Sequence, residues 1–437
     1  MIEALIVAAC YAAFWSNVGG LTEPLRAGIF ACLFSAAALA VARGKLRPVP
    51  PSPFEALLYV VGLLSAAVSL VRGADYSITY TVYFLAITVF LSVIVREVSL
   101  ERLLDTGAVT ILLCVATCLI VEHANLITVL EISIGRNGME RFHPLNNHPL
   151  MTGYIFGSGS FLLARRAYLA TRRGERLTMI AGVALCWIFV LAASARSSLL
   201  GLMASLIFAT FFEIRIVRFL SLKSFALLLV VIGVGTAVYL GSAGNYLSQI
   251  LQLDSSYRGV GTGATGRTEL WMEAIDTFLS DPTLILFGGG LRSSEYSVIG
   301  FLTENSYLTF LLDSGLFVGG AMIMLLVYSP FRALRISSLE TQGSTRARLR
   351  FLPSFLLFPL VQCFYIRSYI GISNPASLLM LIMVMSLSVR LAFQAAGQPA
   401  PKLAPRHRSA SRRLAAGRAP GVADELPAGD LPTRTPR

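Results

Sequence analysis

The residues best suited to chemistry lie in a polar interval from about 246 to 303, set within an otherwise apolar chain. It carries Tyr257-Arg258-Gly259-Val260-Gly261-Thr262-Gly263-Ala264-Thr265-Gly266-Arg267-Thr268, and later Gly288-Gly289-Gly290-Leu291-Arg292. It ends at Thr303-Glu304-Asn305-Ser306-Tyr307-Leu308, where the next apolar run begins. Arginine presents a planar fork of donors that matches phosphate oxygens. Glycine-rich backbone can turn its N–H groups toward an anion. A carboxylate within hydrogen-bond reach of a hydroxyl can take its proton. Together these groups suit an anionic headgroup with a proton transfer beside it, Glu304 acting as base. Residues 261–268 also have the spacing of a phosphate-binding loop, with Arg267 where lysine would stand. Such a loop follows a buried strand, whereas this one follows an apolar run and a polar stretch, so nucleotide binding is disfavoured.

The elements that position these residues are set by composition. The chain is 55% hydrophobic and 14% charged, with mean hydropathy +0.70, where a soluble domain carries about 25% charged residues. The expected fold is an all-α polytopic membrane protein with about 12 transmembrane helices, each long enough for a bilayer. The spans fall near 3–19, 24–42, 54–71, 77–95, 106–125, 149–164, 178–195, 197–213, 224–244, 304–328, 351–366 and 375–393. One long outer loop, 246–303, holds an amphipathic helix. Its apolar face is Leu270, Trp271, Ala274, Ile275, Phe278 and Leu279, with Thr268 as its cap and Asp281-Pro282 as its stop. That helix is expected along the membrane surface or under the loop, with Trp271 as an interfacial anchor. The six cysteines fall in or at the ends of spans and read as apolar packing, with no disulfide.

Positive charge sets orientation. Arg43, Lys45, Arg47, Arg96, Arg102, the Arg165–Arg176 cluster, Arg215, Arg218, Lys223 and the Arg332–Arg350 cluster share one side, with Arg390. That side is expected to be cytoplasmic, with both termini, and the 246–303 loop periplasmic, in a bacterial inner membrane. The basic residues of the other side are all arginines: Arg26, Arg72, Arg136, Arg141, Arg196, Arg258, Arg267, Arg292 and Arg367. Residues 1–395 form the membrane domain. Residues 396–437, rich in Pro, Ala and Arg, read as a disordered basic cytoplasmic tail. The basic balance follows the inside rule and points to no nucleic acid.

Smaller outer elements complete the set. Arg136 and Arg141 precede His143 and His148, whose spacing across a proline gives only a weak zinc pattern, and no metal is expected. Ser194-Ala195-Arg196-Ser197-Ser198 sets an arginine in a tight turn between spans, and Arg367 is placed similarly. Asp313, nine residues beyond Glu304 in an apolar run, is a costly acid and so a functional or helix-pairing candidate.

In this order, Ser194–Ser198, Thr265-Gly266-Arg267-Thr268-Glu269-Leu270-Trp271, Asp281-Pro282, Gly288-Gly289-Gly290, Glu304-Asn305-Ser306-Tyr307-Leu308 and Asp313-Ser314-Gly315 resemble the O-antigen ligase and Wzy-type polysaccharide polymerase superfamily. The resemblance runs from about 185 to 325. It implies a membrane glycosyltransferase that takes a glycan from a polyprenyl-diphosphate carrier at the periplasmic face, without metal, nucleotide sugar or other cofactor. On matching positions it implies Arg196 and Arg267 as phosphate ligands and the start of the tenth span as the base. Arg258, Arg292, Arg136, Arg141 and Arg367 are further candidates for the diphosphate or glycan. A chain-length regulator and export machinery are the candidate partners. Ligases of this kind carry histidine where this chain has Glu304, which favours a polymerase. A ligase acting on lipid A-core and a lipid-linked oligosaccharide flippase are the alternatives. A flippase would be expected to show related halves, and no repeat relates 1–213 to 214–437.

Overall fold

A computed structural model describes residues 1–43, 50–135, 141–213, 267–339, 347–366 and 374–395, and among them every regular element is helical. In chain order these are α1 Ile2–Trp15, α2 Thr22–Ala42, α3 Pro53–Arg72, α4 Asp75–Glu97, α5 Leu100–Val121, α6 His123–Gly135, α7 Pro149–Leu169, α8 Arg173–Ala192, α9 Arg196–Phe208, α10 Arg267–Ser280, α11 Pro282–Phe287, α12 Ser306–Leu339, α13 Leu352–Gln362 and α14 Pro375–Ala395. Helices suit this sequence because backbone polar groups in hydrocarbon must be satisfied within the segment.

Eight described helices are long and apolar enough to cross a membrane: α2, α3, α4, α5, α8, α9 with the π turn that extends it to Glu213, α12 and α14. α1 and α13 are apolar but shorter. α7 is long enough, yet carries Thr152, Ser158, Ser160 and three glycines. The ninth expected span, 224–244, and the tail lie outside the described residues. Two expected boundaries move. The fifth span begins at Leu100 and ends at Val121, and a separate helix, α6, follows it. The helix of the tenth expected span, α12, begins at Ser306, so Glu304 stands ahead of it rather than inside it.

Local chemistry explains the starts. Ser52 and Glu55 form a reciprocal capping box on α3, with Pro53 in the first turn. The Asn374 side chain accepts from the Ala376 and Ser377 amides at the start of α14. α14 is the axis of the bundle: 83% of its apolar window is buried, against 28% for α2 and for α8. A helix apolar on every side is stable only with neighbours all round. One apolar core runs through α1–α5, α7–α9 and α12–α14. All six cysteines are free thiols, and five of them are buried.

Contacts sort the connections into two ends. At one end Arg102 meets Glu3, Arg43 meets Glu97, and Arg96 meets Glu55. Glu213 accepts from Phe351 and Ser354 there. At the other end Asn17 meets Asn147, Arg72 meets Asp281 and the Phe142 amide meets the Ala192 carbonyl. These are the groups that the charge pattern separates.

The first end is clamped by buried ions. Arg390 of α14 donates to Glu101 of α5 at 2.6 Å. Arg165 of α7, 1% exposed, pairs with Asp105 at 2.9 Å and donates to the Arg348 carbonyl. Removing one partner of such a pair strands the other charge. Glu101→Ala is therefore expected to destabilise the fold by about 3 kcal/mol. Adding Arg390→Leu should restore part of that loss. Unfolding of the purified protein in detergent micelles measures both; equal stability of wild type and Glu101→Ala would rule out the clamp.

Candidate functional site

The described part of the polar segment is built on α10. Ala274 and Phe278 are buried with Leu284 of α11 and Leu312 of α12 in a small second core. The amphipathic face expected along the membrane surface or under the loop thus packs on the protein's own helices. Arg267 already belongs to α10, so Thr268 lies inside the helix and is not its cap. Trp271 donates from Nε1 to the Thr303 carbonyl at 2.8 Å, which moors α10 to the turn before α12. The Asp281 side chain caps α11. Hydrogen bonds from the Thr283 hydroxyl and amide, with Arg72 nearby, hold its carboxyl below the usual range. Arg72 of α3 also donates to Thr283 at 2.9 Å, tying this segment to the bundle.

The glycine return is held by Asp313. The Gly289 and Gly290 amides donate to the Leu312 and Asp313 carbonyls at 2.8 and 2.9 Å. The Asp313 carboxylate accepts from the Arg292 amide at 2.9 Å and the Ser294 amide at 3.1 Å. Asp313 is 4% exposed. Its burial is compensated by N–H groups that irregular backbone would otherwise leave unsatisfied. Two glycines make the approach possible. Gly288 has φ +74, and a Cβ there would lie 2.5 Å from Asp313 backbone atoms. Gly315, also at φ +74, breaks α12, and its Cβ would lie 2.6 Å from the Leu286 carbonyl oxygen.

Glu304 sits at φ 48, just before Asn305. The Asn305 side chain caps α12 by accepting from the Tyr307 and Leu308 amides at 3.0 and 3.2 Å. The Ser306 amide and hydroxyl bond to the Cys363 and Ile366 carbonyls, and the Tyr307 hydroxyl bonds to the Leu360 carbonyl. With the cap supplied by its neighbour, Glu304 stands ahead of the helix and meets the Arg267 guanidinium in a direct ion pair. The carboxylate is 39% exposed and the arginine 18%, so water and a solute can reach the pair. Arg292 too has positive φ, 61°. Non-glycine residues held there cost of order 1–3 kcal/mol each and cluster at functional sites.

The other expected site residues divide. The Arg292 side chain pairs with Glu295 at 2.7 Å and lies over the Tyr80 ring, 4.2 Å from its centroid. Arg196 opens α9 and is half-buried. The next residues, Ser197 and Ser198, both bond to Gln362 of α13, near the Cys363 and Ile366 carbonyls that hold Ser306. Arg141 donates to the Ala193 and Ser194 carbonyls at 2.9 and 3.1 Å, closing the end of α8. His148 accepts from the Leu150 amide at the start of α7. Arg136, Arg258 and Arg367 lie outside the described residues. The structure thus joins Arg267 to Glu304, and the Arg292 backbone to Asp313.

Beside the return opens a cavity of about 1190 Å3, lined from α2, α4, α12 and α14 and reaching Arg292, Ser306 and Asp313. Sequence reasoning passed over its α4 wall, although tyrosines at 76, 80 and 83 repeat at helical spacing. It also gave Asn305 no role, and the Asn-Ser-Tyr sequence after an isolated acid is a capping signal.

No protein-family model matches this chain, and a search of curated proteins finds no match.

The close approach of the return to α12 gives a direct test. Gly315→Ala and Gly288→Ala should each cost about 1–3 kcal/mol, combining left-handed φ with overlap against backbone. Gly320→Ala, in open space on the same helix, should be neutral or stabilising by roughly 0.5–1 kcal/mol. Melting temperatures of the three variants in one detergent check the order.

Proposed function

We propose that this protein is a membrane glycosyltransferase that elongates a surface glycan from a polyprenyl-diphosphate-linked oligosaccharide at the outer face of a bacterial inner membrane. The observation that supports this most is the Arg267–Glu304 ion pair, partly open to water at the mouth of α12. Its order among the surrounding motifs is that of the polymerase and ligase superfamily. Charge bias puts the Arg292 end outside and the Arg173 and Arg348 end in the cytoplasm.

The chemistry needs two things from the protein. The glycan's anomeric carbon already carries a good leaving group, so the enzyme must stabilise the departing diphosphate and activate a weak hydroxyl. In the proposed step the donor diphosphate competes with Glu304 for the Arg267 guanidinium, and Arg196 adds a second cation. Glu304, released, accepts the acceptor hydroxyl proton as that oxygen bonds to the anomeric carbon. The carbon–oxygen bond to phosphate breaks, and its electron pair leaves on the diphosphate, where the arginines hold it. No metal or redox group is needed for this balance. Glutamate in place of the ligase histidine favours polymerase over transfer to lipid A-core.

Deleting the gene and analysing surface glycan tests the reading. Loss of long polymer with single repeat units retained supports a polymerase. Lipid-linked polymer that fails to reach lipid A indicates a ligase, and an unchanged glycan removes the proposal. A reporter after Arg292 should read periplasmic, and reporters after Arg173 and Arg348 cytoplasmic; the opposite pattern would put the pair on the wrong side.

Point variants separate chemistry from scaffolding. Glu304→Gln is expected to lower turnover by roughly 10²–10⁴-fold, and Arg267→Lys to recover only part of what Arg267→Ala loses. The decisive variant is the exchange Arg267→Glu with Glu304→Arg. It restores an ion pair and should restore stability while remaining inactive. An active exchange variant would show that the pair only braces α10 against α12.

A further inference from the structure

The cavity beside the return is absorbed by neither the ion pair nor the diphosphate. Its volume of about 1190 Å3 exceeds the about 300–1,000 Å3 of sites for drug-sized ligands. One wall is a single face of α4, where Tyr76, Tyr80 and Tyr83 stand at i, i+4 and i+7. Tyr76 stacks on Tyr296 at 4.7 Å between ring centroids and lies near-parallel to Tyr80 at 6.2 Å. Tyr83 packs on Phe30 of α2 at 5.0 Å. Tyr76 and Tyr83 are nonetheless 61% and 46% exposed. Tyrosines near a helix end commonly form an interfacial belt. These instead line a cavity shared with polar groups of other elements, among them Asn17, Glu23 and Asn374.

Charge decides what fits. Three carboxylates line the cavity, Glu23, Asp75 and Asp313, with two arginines, Arg26 and Arg292. Arg26 is paired with Glu23 at 2.7 Å, and Arg292 with Glu295 at 2.7 Å. A diphosphate would meet a surplus of negative charge. Phe30, Phe84, Ile87, Phe310 and Leu381 also line the cavity, and a hydrocarbon tail lying along them would still strip water from the neighbouring carboxylates. A neutral polyol meets neither penalty. Its hydroxyls donate to carboxylates and amide oxygens, and the C–H faces of its rings lie on aromatic rings, whose faces are electron-rich.

We infer that the cavity walled by Tyr76, Tyr80 and Tyr83 is an oligosaccharide subsite that holds several sugar units of the glycan beside the Arg267–Glu304 pair. The choice of ligand rests on the glycosyltransferase reading; the place rests on the cavity. The subsite would fix the register of the glycan, while the ion pair handles the proton and the diphosphate.

The test uses the full-length protein in detergent and short oligosaccharides freed by mild acid from the host's own surface glycan, end-labelled for equilibrium binding. Wild type and Glu304→Gln should bind them alike. Tyr76→Ala and Tyr83→Ala should each weaken binding by about tenfold or more. Tyr76→Phe, which keeps the ring, should bind within about twofold of wild type. Melting temperatures near wild type confirm that the alanine variants are folded; if either is not, Tyr76→Leu and Tyr83→Leu replace them and face the same criterion. Full binding by folded Tyr76 and Tyr83 variants would overturn the subsite and leave the glycosyltransferase reading standing. No binding by wild type, in a host whose glycan changes on gene deletion, would have the same consequence. No binding together with an unchanged glycan would overturn both.

Discussion

Irregular backbone at the end of a membrane bundle needs partners for its N–H groups, and here Asp313 supplies three of them. Its carboxylate and carbonyl take the Arg292, Ser294 and Gly290 amides. In return the amides compensate a carboxylate buried in an apolar run. The chain can then leave α11, reverse over α12 and return to it without a strand or a disulfide. That reversal sets the position of Arg292 and one wall of the cavity. The acid that hydropathy marks as costly is therefore a fastening, and its expense is met by backbone.

Two kinds of ionic contact divide the molecule. The Arg165, Glu101 and Arg390 contacts at one end tie α5, α7 and α14 together, with Arg165 and Glu101 buried and Asp105 partly exposed. Arg267–Glu304 at the other end is partly exposed and joins two elements by a single contact between side chains. A buried clamp of several contacts resists exchange with any solute. A half-exposed pair can trade partners with an incoming anion, because neither ion must be desolvated afresh.

The arginines at this end of the bundle serve more than one purpose. Arg141 closes a helix end, Arg72 fastens α11, and Arg292 bridges Glu295 and two tyrosines. From sequence these residues look alike, since all are isolated cations near the ends of apolar runs. Their roles separate only when the neighbouring carbonyls and carboxylates are in place. Arg267 stands apart because its partner is the one carboxylate that precedes a helix already capped by Asn305, and so is not used by that helix.

The sequence by itself determined the membrane class, most span positions and the two-sided charge pattern, and it singled out the polar segment that holds Arg267 and Glu304. These follow from local quantities: hydropathy over a helix length, the side of each connection, and the rarity of glycine, arginine and acid in an apolar chain. It also marked Arg267 and Glu304 separately. Only the tertiary structure decided that they touch, that Asp313 holds the return, that the amphipathic face of α10 packs inward, and that tyrosines of α4 wall a cavity with residues of α2. Each of those facts depends on elements far apart in the chain meeting at one end of the bundle. Side-chain spacing along one helix records which residues share a face, but not what that face will meet.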